Sequence, residues 1–250
     1  MSADYEQVLE HMENTVHALT KRLPAPQKVP YKDSFVFRHV EKTIHQAMVQ
    51  KLARTVSTLR ATLLLREVGL FQEQAVLHRV LDELQEDAKF LACGVIQSDV
   101  TELHQKYLDA FFEEEFDADT SMASTQKRPM IPRQKIRAHL ARGLGDTADT
   151  STNLEASRTI SKAYSGFVHA ASPHIMDMYG GNPPRFFMRG MLGTEREQEF
   201  DWDIWNYFYR GILTFAIVAK AFGDDTRFKS ISDYAKEFAR VAGKDYFPSE

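Results

Sequence analysis

Residues 70–96 read LFQEQAVLHRVLDELQEDAKFLACGVI. Within them Val76, Leu77, Val80, Leu81, Leu84 and Leu91 recur at the spacing that gathers side chains on one face of an α-helix. No proline interrupts the run, and Gly69 stands before it as a breaker. A helix from about Leu70 to Ile96 is therefore predicted. The same period extends upstream. Val40, Ile44, Met48, Leu52, Val56, Leu59 and Leu63 predict a long helix from about Ser34 to Val68. Tyr5, Val8, Leu9, Met12, Val16, Leu19 and Leu23 predict a first helix ending before Pro24 and Pro26, with PAPQKVPYKD (24–33) as a turning linker.

Downstream, Asp99 with Glu102 suggests a capping box opening a fourth helix that ends near Phe116. Residues 117–132 (DADTSMASTQKRPMIP) lack periodicity and read as a mobile loop. A short basic helix, Arg133–Arg142, stops at Gly143 and Gly145. Thr152 with Glu155 opens a helix through Ile160, Ala163, Tyr164, Phe167 and Val168, the last three turned to the core. Thr194 with Glu197 opens another that runs to Phe222, with Gly223 at its C-terminus. Phe228, Ile231, Tyr234, Phe238 and Val241 mark the last. No alternating strand is convincing, since Arg185–Met188 is too short to define a sheet. The expectation is an all-α, multi-helix bundle of roughly eight or nine helices with one Gly/Pro-rich loop at about 172–193. Neither side of 117–132 looks self-sufficient, so residues 1–250 are expected to form a single helical domain.

A net charge of −4 gives no support for bulk binding to nucleic acid or an anionic membrane. The lone Cys93 cannot form an intrachain disulfide and lies in an apolar run, which suits a buried thiol in a reducing cytoplasm. Asp4, Glu6, Glu10 and Glu13 stand where a signal peptide would be basic and then apolar. In the apolar stretch Ile204–Phe222, Asn206, Arg210 and Lys220 argue for a core helix rather than a membrane span. A cytoplasmic location is expected, with no membrane and no cofactor.

The chemically distinctive stretch is 158–193, RTISKAYSGFVHAASPHIMDMYGGNPPRFFMRGMLG. Its first half, read as a helix, places Arg158, Lys162, Ser165 and His169 on one face, and Tyr179-Gly-Gly-Asn-Pro-Pro must turn. Arg158, His169, Arg185 and Arg189 suit a small polar or anionic ligand, because guanidinium groups donate in pairs; Tyr164 and Tyr179 would form walls. Equally, these side chains would clamp the loop onto helix ends. His169, His174 and Asp177 are the metal candidates, although no Glu-x-x-His pair supports a di-iron pattern and no metal is expected. Glu13/His17, Glu41/His45 and His78/Asp82 read as helix-surface pairs. Arg79 with Glu83 predicts an intrahelical ion pair, the other case being a buried pair lining a pocket. The aromatic set from Trp202 to Phe215 reads mostly as core, and any face left outside would serve a homodimer.

Arg133-Gln134…His139 and Arg38-His39…His45 fit the Arg-polar-x(3–5)-His pattern of the higher-eukaryote-and-prokaryote nucleotide-binding (HEPN) superfamily. Around the first, Lys127, Arg128, Lys135, Arg137 and Arg142 would suit an RNA backbone, or simply form a solvated basic face. Tyr164-Ser165-x-x-Val168-His169, Tyr179-Gly-Gly-Asn-Pro-Pro, Arg189-Gly190-Met191 and Leu77-His-Arg-Val-Leu-Asp-Glu-Leu together resemble an uncharacterised group of bacterial all-helical proteins. The resemblance covers about a third of the chain and assigns no reaction. A distant HEPN-like relationship would imply metal-independent RNA cleavage in defence or stress. In it Arg133 would stabilise the phosphate and His139 would assist proton transfer. The Arg158–His169 spacing is too long for that pattern. The sequence leads first to ligand or partner binding at 158–190, with the ribonuclease and a purely structural interaction protein as alternatives.

Overall fold

The computed structural model describes residues 4–116, 118, 120, 122–127, 129–143 and 163–244. Among these, the helices are α1 (Tyr5–Thr20), α2 (Ile44–Glu67), α3 (Phe71–Ile96), α4 (Glu102–Phe112), α5 (Arg133–Gly143), α6 (Ser172–Met176), α7 (Glu197–Ala221) and α8 (Asp225–Val241). Residues 163–168 are helical as well. The strands are two small antiparallel hairpins, β1 (Gln27–Tyr31) with β2 (Ser34–Arg38), and β3 (Tyr179–Gly180) with β4 (Arg185–Phe186). The expected all-α, multi-helix bundle is the architecture that forms.

The apolar stripes of α1, α2, α3 and α7 meet in one core, with α8 closing it outside α7. Leu9, Leu52, Leu81, Phe208 and Phe215 are fully or almost fully buried there. Each such side chain contributes about 1.5–3 kcal/mol on burial. Ile136 of α5 and Tyr107 of α4 extend the same core. A second cluster of Phe71, Ala75, Met191 and Phe200 seats the 187–193 segment, with Phe71 and Phe200 stacked at 5.0 Å.

The predicted helix over 34–43 is replaced by strand β2 of the hairpin over 34–38 and a short non-helical connection over 39–43. Val29, Tyr31, Phe35, Val36 and Phe37 are β-formers, and Lys32 adopts a positive φ of 52° in the two-residue turn. Helix α2 then begins where Thr43 and Gln46 cap it reciprocally. That Thr-x-x-Gln signal was legible, but Val40 happens to continue the apolar period through it. Helix α4 opens not on Asp99 but on Thr101, whose backbone N–H donates to His104 Nδ1 at 3.1 Å. His104 Nε2 lies 3.1 Å from the Phe90 carbonyl, so the neutral ring carries its proton on Nε2. Helix α7 starts at Glu197, whose carboxylate accepts from the Gly193 amide at 2.7 Å, while Thr194 donates to the Met191 carbonyl instead of capping. The described residues of 117–132 lie outside helix and strand. The Thr152/Glu155 helix start lies outside the described residues.

Candidate functional site

Gln74, His78, Asp82, Gln85 and Lys89 are spaced four, four, three and four residues apart, so they form one stripe along α3. Asp203, Tyr207, Arg210 and Thr214 form a matching stripe on α7. The two helices pack against each other with these stripes between them. The His78 ring stacks on Tyr207 at 4.2 Å and meets Tyr164 edge-on at 5.6 Å. Arg210 Nη2 lies 2.8 Å from Asp82 Oδ1, and its guanidinium carbon sits 4.9 Å from the Tyr207 ring centre. Tyr164 donates its hydroxyl proton to Asp203. At either end, Gln74 Nε2 donates to the Phe200 carbonyl and Gln85 Nε2 to the Tyr207 carbonyl, each at 3.2 Å.

Depth makes this row unusual. His78 and Gln85 are fully buried, and Asp82 and Tyr207 are only 2% exposed. His78 and Asp82 are thus not a surface pair, which corrects the reading of that spacing. Among the described residues, neither ring nitrogen of His78 has a hydrogen-bond partner, nor does the side-chain carbonyl of Gln74 or Gln85, whereas the Tyr207 hydroxyl turns to Asp82. Both Asp82 oxygens also lack a well-directed hydrogen bond despite the nearby Arg210. Each unmet buried group costs about 1–3 kcal/mol. Burial, reinforced by the Arg210 charge, pushes the His78 pKa down to about 3, so the ring is neutral at pH 7. Burial raises Asp82 above the usual carboxylate range, with Arg210 pulling the other way. Burial and the Asp82 charge raise Tyr207, keeping it a hydroxyl donor. The Lys89 ammonium is pushed down to about 8 by desolvation, with Arg210 adding to it.

One helical turn further along α3, a separate ionic knot fixes α5. Arg133 pairs with Glu86 at 2.7 Å and with Asp87, and it donates to the Glu83 carbonyl at 3.2 Å. Arg137 reaches Glu86 at 2.8 Å, and Lys51 of α2 reaches Asp87 at 2.7 Å. His139 is buried against Phe90 at 5.1 Å and His104 at 4.8 Å. Arg133 and His139 therefore serve as packing and ion-pair partners in this arrangement. The second matching segment fares likewise: Arg38 lies in β2 and pairs with Glu114. The expected Arg79–Glu83 ion pair forms, at 2.8 Å.

Of the six residues assigned to a ligand pocket, Tyr164 joins the buried row. Arg158 lies outside the described residues. His169, Tyr179, Arg185 and Arg189 are all exposed. Tyr179 borders a surface depression of about 500 Å³ with Asp177 and Arg196, and neither His169, Arg185 nor Arg189 lines it. Val168, expected to face the core, is 46% exposed. His169, His174 and Asp177 do not gather into a metal-binding group. The His174 ring instead packs on Phe167 at 4.4 Å, and Asp177 pairs with Arg196 at 2.7 Å.

No family model, curated protein or solved structure matches the chain.

The 187–193 segment holds its position through backbone contact with the α2–α3 turn. The Met191 amide donates to the Gly69 carbonyl at 2.8 Å. Gly190 has φ +115°, and a Cβ there would stand 2.1 Å from the Val68 carbonyl oxygen. Gly190→Ala is expected to undock the loop at a cost of about 2 kcal/mol. New proteolytic cleavage within 180–193 and a lowered urea midpoint would report it. Wild-type resistance in the variant would show that the loop is held elsewhere.

Proposed function

We propose that this is a cytoplasmic binding protein for a small, uncharged, hydrogen-bonding molecule. The ligand would lie along the α3–α7 row beside Tyr164. The observation that carries this reading is the cluster of unpartnered buried groups at His78, Gln74 and Gln85. A native core seldom leaves so many polar atoms unmet in one place. They present both kinds of site: an imidazole N–H donor, and two amide oxygens as acceptors. The Arg210 charge is already answered by Asp82, so a neutral molecule suits the row better than an anion. The 163–193 segment would contribute the Tyr164 wall, which keeps part of the site anticipated at 158–190. No helix among the described residues is long and apolar enough to cross a membrane, which is compatible with this reading.

The test is a thermal-shift screen with amides, ureides, nucleobases and polyols, followed by calorimetry on wild type and His78→Phe, which keeps a ring against Tyr207. A compound that stabilises wild type and binds His78→Phe at least about tenfold more weakly is expected, the loss of roughly one hydrogen bond. A crystal structure in which ordered water alone meets these groups, with no member of the panel binding, overturns the proposal.

A further inference from the structure

The chain has two tryptophans, and both face the same lysine. Trp202 and Trp205 lie one turn apart near the start of α7, with ring centres 6.5 Å apart. Lys244, just beyond α8, places Nζ 3.4 Å from the Trp202 ring centre and 3.2 Å from that of Trp205. Cation–π attraction to an indole face is strongest where the cation is desolvated. These rings border a broad depression of about 730 Å³ that also presents Glu195, Glu199, Asp201 and Asp203. Among the described residues, Lys244 is the sole cation in its lining. Glu199 and Asp201 are partly answered from outside it by Arg196 and Arg66, leaving a negative field at the mouth.

Lys244 itself fits poorly there. Its Nζ is buried and, among the described residues, has no hydrogen-bond partner. An ammonium has three N–H donors, so the rings attract its charge while its donors go unmet. Desolvation lowers its pKa to about 8. A cation with methyl groups in place of N–H would keep the attraction without that cost. Trp202 is 58% exposed, so the notch is reachable from solvent.

We propose that the Trp202–Trp205 notch is a binding site for a quaternary or fully methylated ammonium, with Lys244 as its displaceable internal occupant. The site shares only Asp203 with the α3–α7 row, and its occupancy does not depend on a ligand there.

Because both tryptophans lie in the notch, fluorescence excited selectively at tryptophan reads this site. The full chain would be titrated with tetramethylammonium chloride, using sodium chloride at equal ionic strength and tert-butanol as controls. Wild type should respond saturably to tetramethylammonium only. Lys244→Gln, which keeps the stem but removes the competing charge, should saturate at about tenfold lower concentration. Trp202→Ala should abolish saturation, and circular dichroism of each variant should match wild type. If Lys244→Gln responds to tetramethylammonium no more than to sodium chloride, or equally to tert-butanol, the proposal fails. If that variant misfolds, the wild-type titration decides by the same criterion.

Discussion

Arg133→Met is expected to lower the free energy of unfolding by about 3 kcal/mol and to loosen α5 from α3. Arg133 retains about a quarter of its side-chain exposure, while Glu86 and Asp87 are 12% and 6% exposed. Methionine keeps much of the apolar stem but leaves two buried carboxylates short of a positive partner. Arg137 and Lys51 remain to satisfy one oxygen each, so the loss is expected at the lower end for breaking a buried pair. The effect should also depend on pH. Burial acts to raise Glu86, but hydrogen bonds and charge from Arg137 and Arg133 outweigh it and hold the carboxyl below its usual range. A depressed carboxyl stabilises the fold above its unfolded pKa, and that contribution fades as pH falls through the folded value. Urea unfolding of wild type and variant should therefore differ most near neutrality and converge in acid. Equal stability at pH 7 would show that Arg133 contributes no net support. It would also restore that guanidinium as a group free to serve another anion.

His78 should make the protein acid-sensitive in a range where most proteins remain stable. Its folded pKa is about 3, against an ordinary value of 6.5. Between these values the unfolded chain takes a proton that the folded chain refuses. Stability attributable to this ring is complete above pH 6.5 and falls by up to about 1.4 kcal/mol per unit below it, reaching about 2 kcal/mol at pH 5. Asp82 and Asp203 work in the opposite direction, since burial raises both and favours proton uptake by the fold. The comparison must therefore be with a variant that removes only the imidazole titration. His78→Gln should be less stable than wild type at pH 7.5 because stacking on Tyr207 is lost, yet its profile from pH 7.5 to 5 should be flatter by about 2 kcal/mol. Parallel profiles would mean that the buried ring already accepts a proton, through water or a bound partner.

The helices were legible because their signals are local. Residues 70–96 and 225–241 carry an unbroken apolar period, and the structure places helices α3 and α8 where that period runs. The 34–43 error has an equally local cause. Val40 matches a helical period by accident, while the Thr43–Gln46 cap that ends the ambiguity is a polar signal. Of the anticipated site, Tyr164 lies in the buried row, whereas His169, Arg185 and Arg189 face solvent. Glycine and proline around 180–190 marked a turn, and turns lie at the surface by default.

The buried row was the harder feature to read. His78 and Asp82 have the spacing of an exposed pair, and nothing in residues 70–96 says that their face is covered. The coverage comes from α7: Gln85 meets the Tyr207 carbonyl across 122 positions of chain. Apart from 34–43, the helical segments could be read locally, since a 3.6-residue period and an end cap involve only neighbouring residues. Which polar stripes turn inward depends on the packing of distant helices, because burial needs a partner helix whose approach no local pattern encodes. The same holds for Trp202, Trp205 and Lys244, which become a cation-holding notch only when α8 folds back along α7.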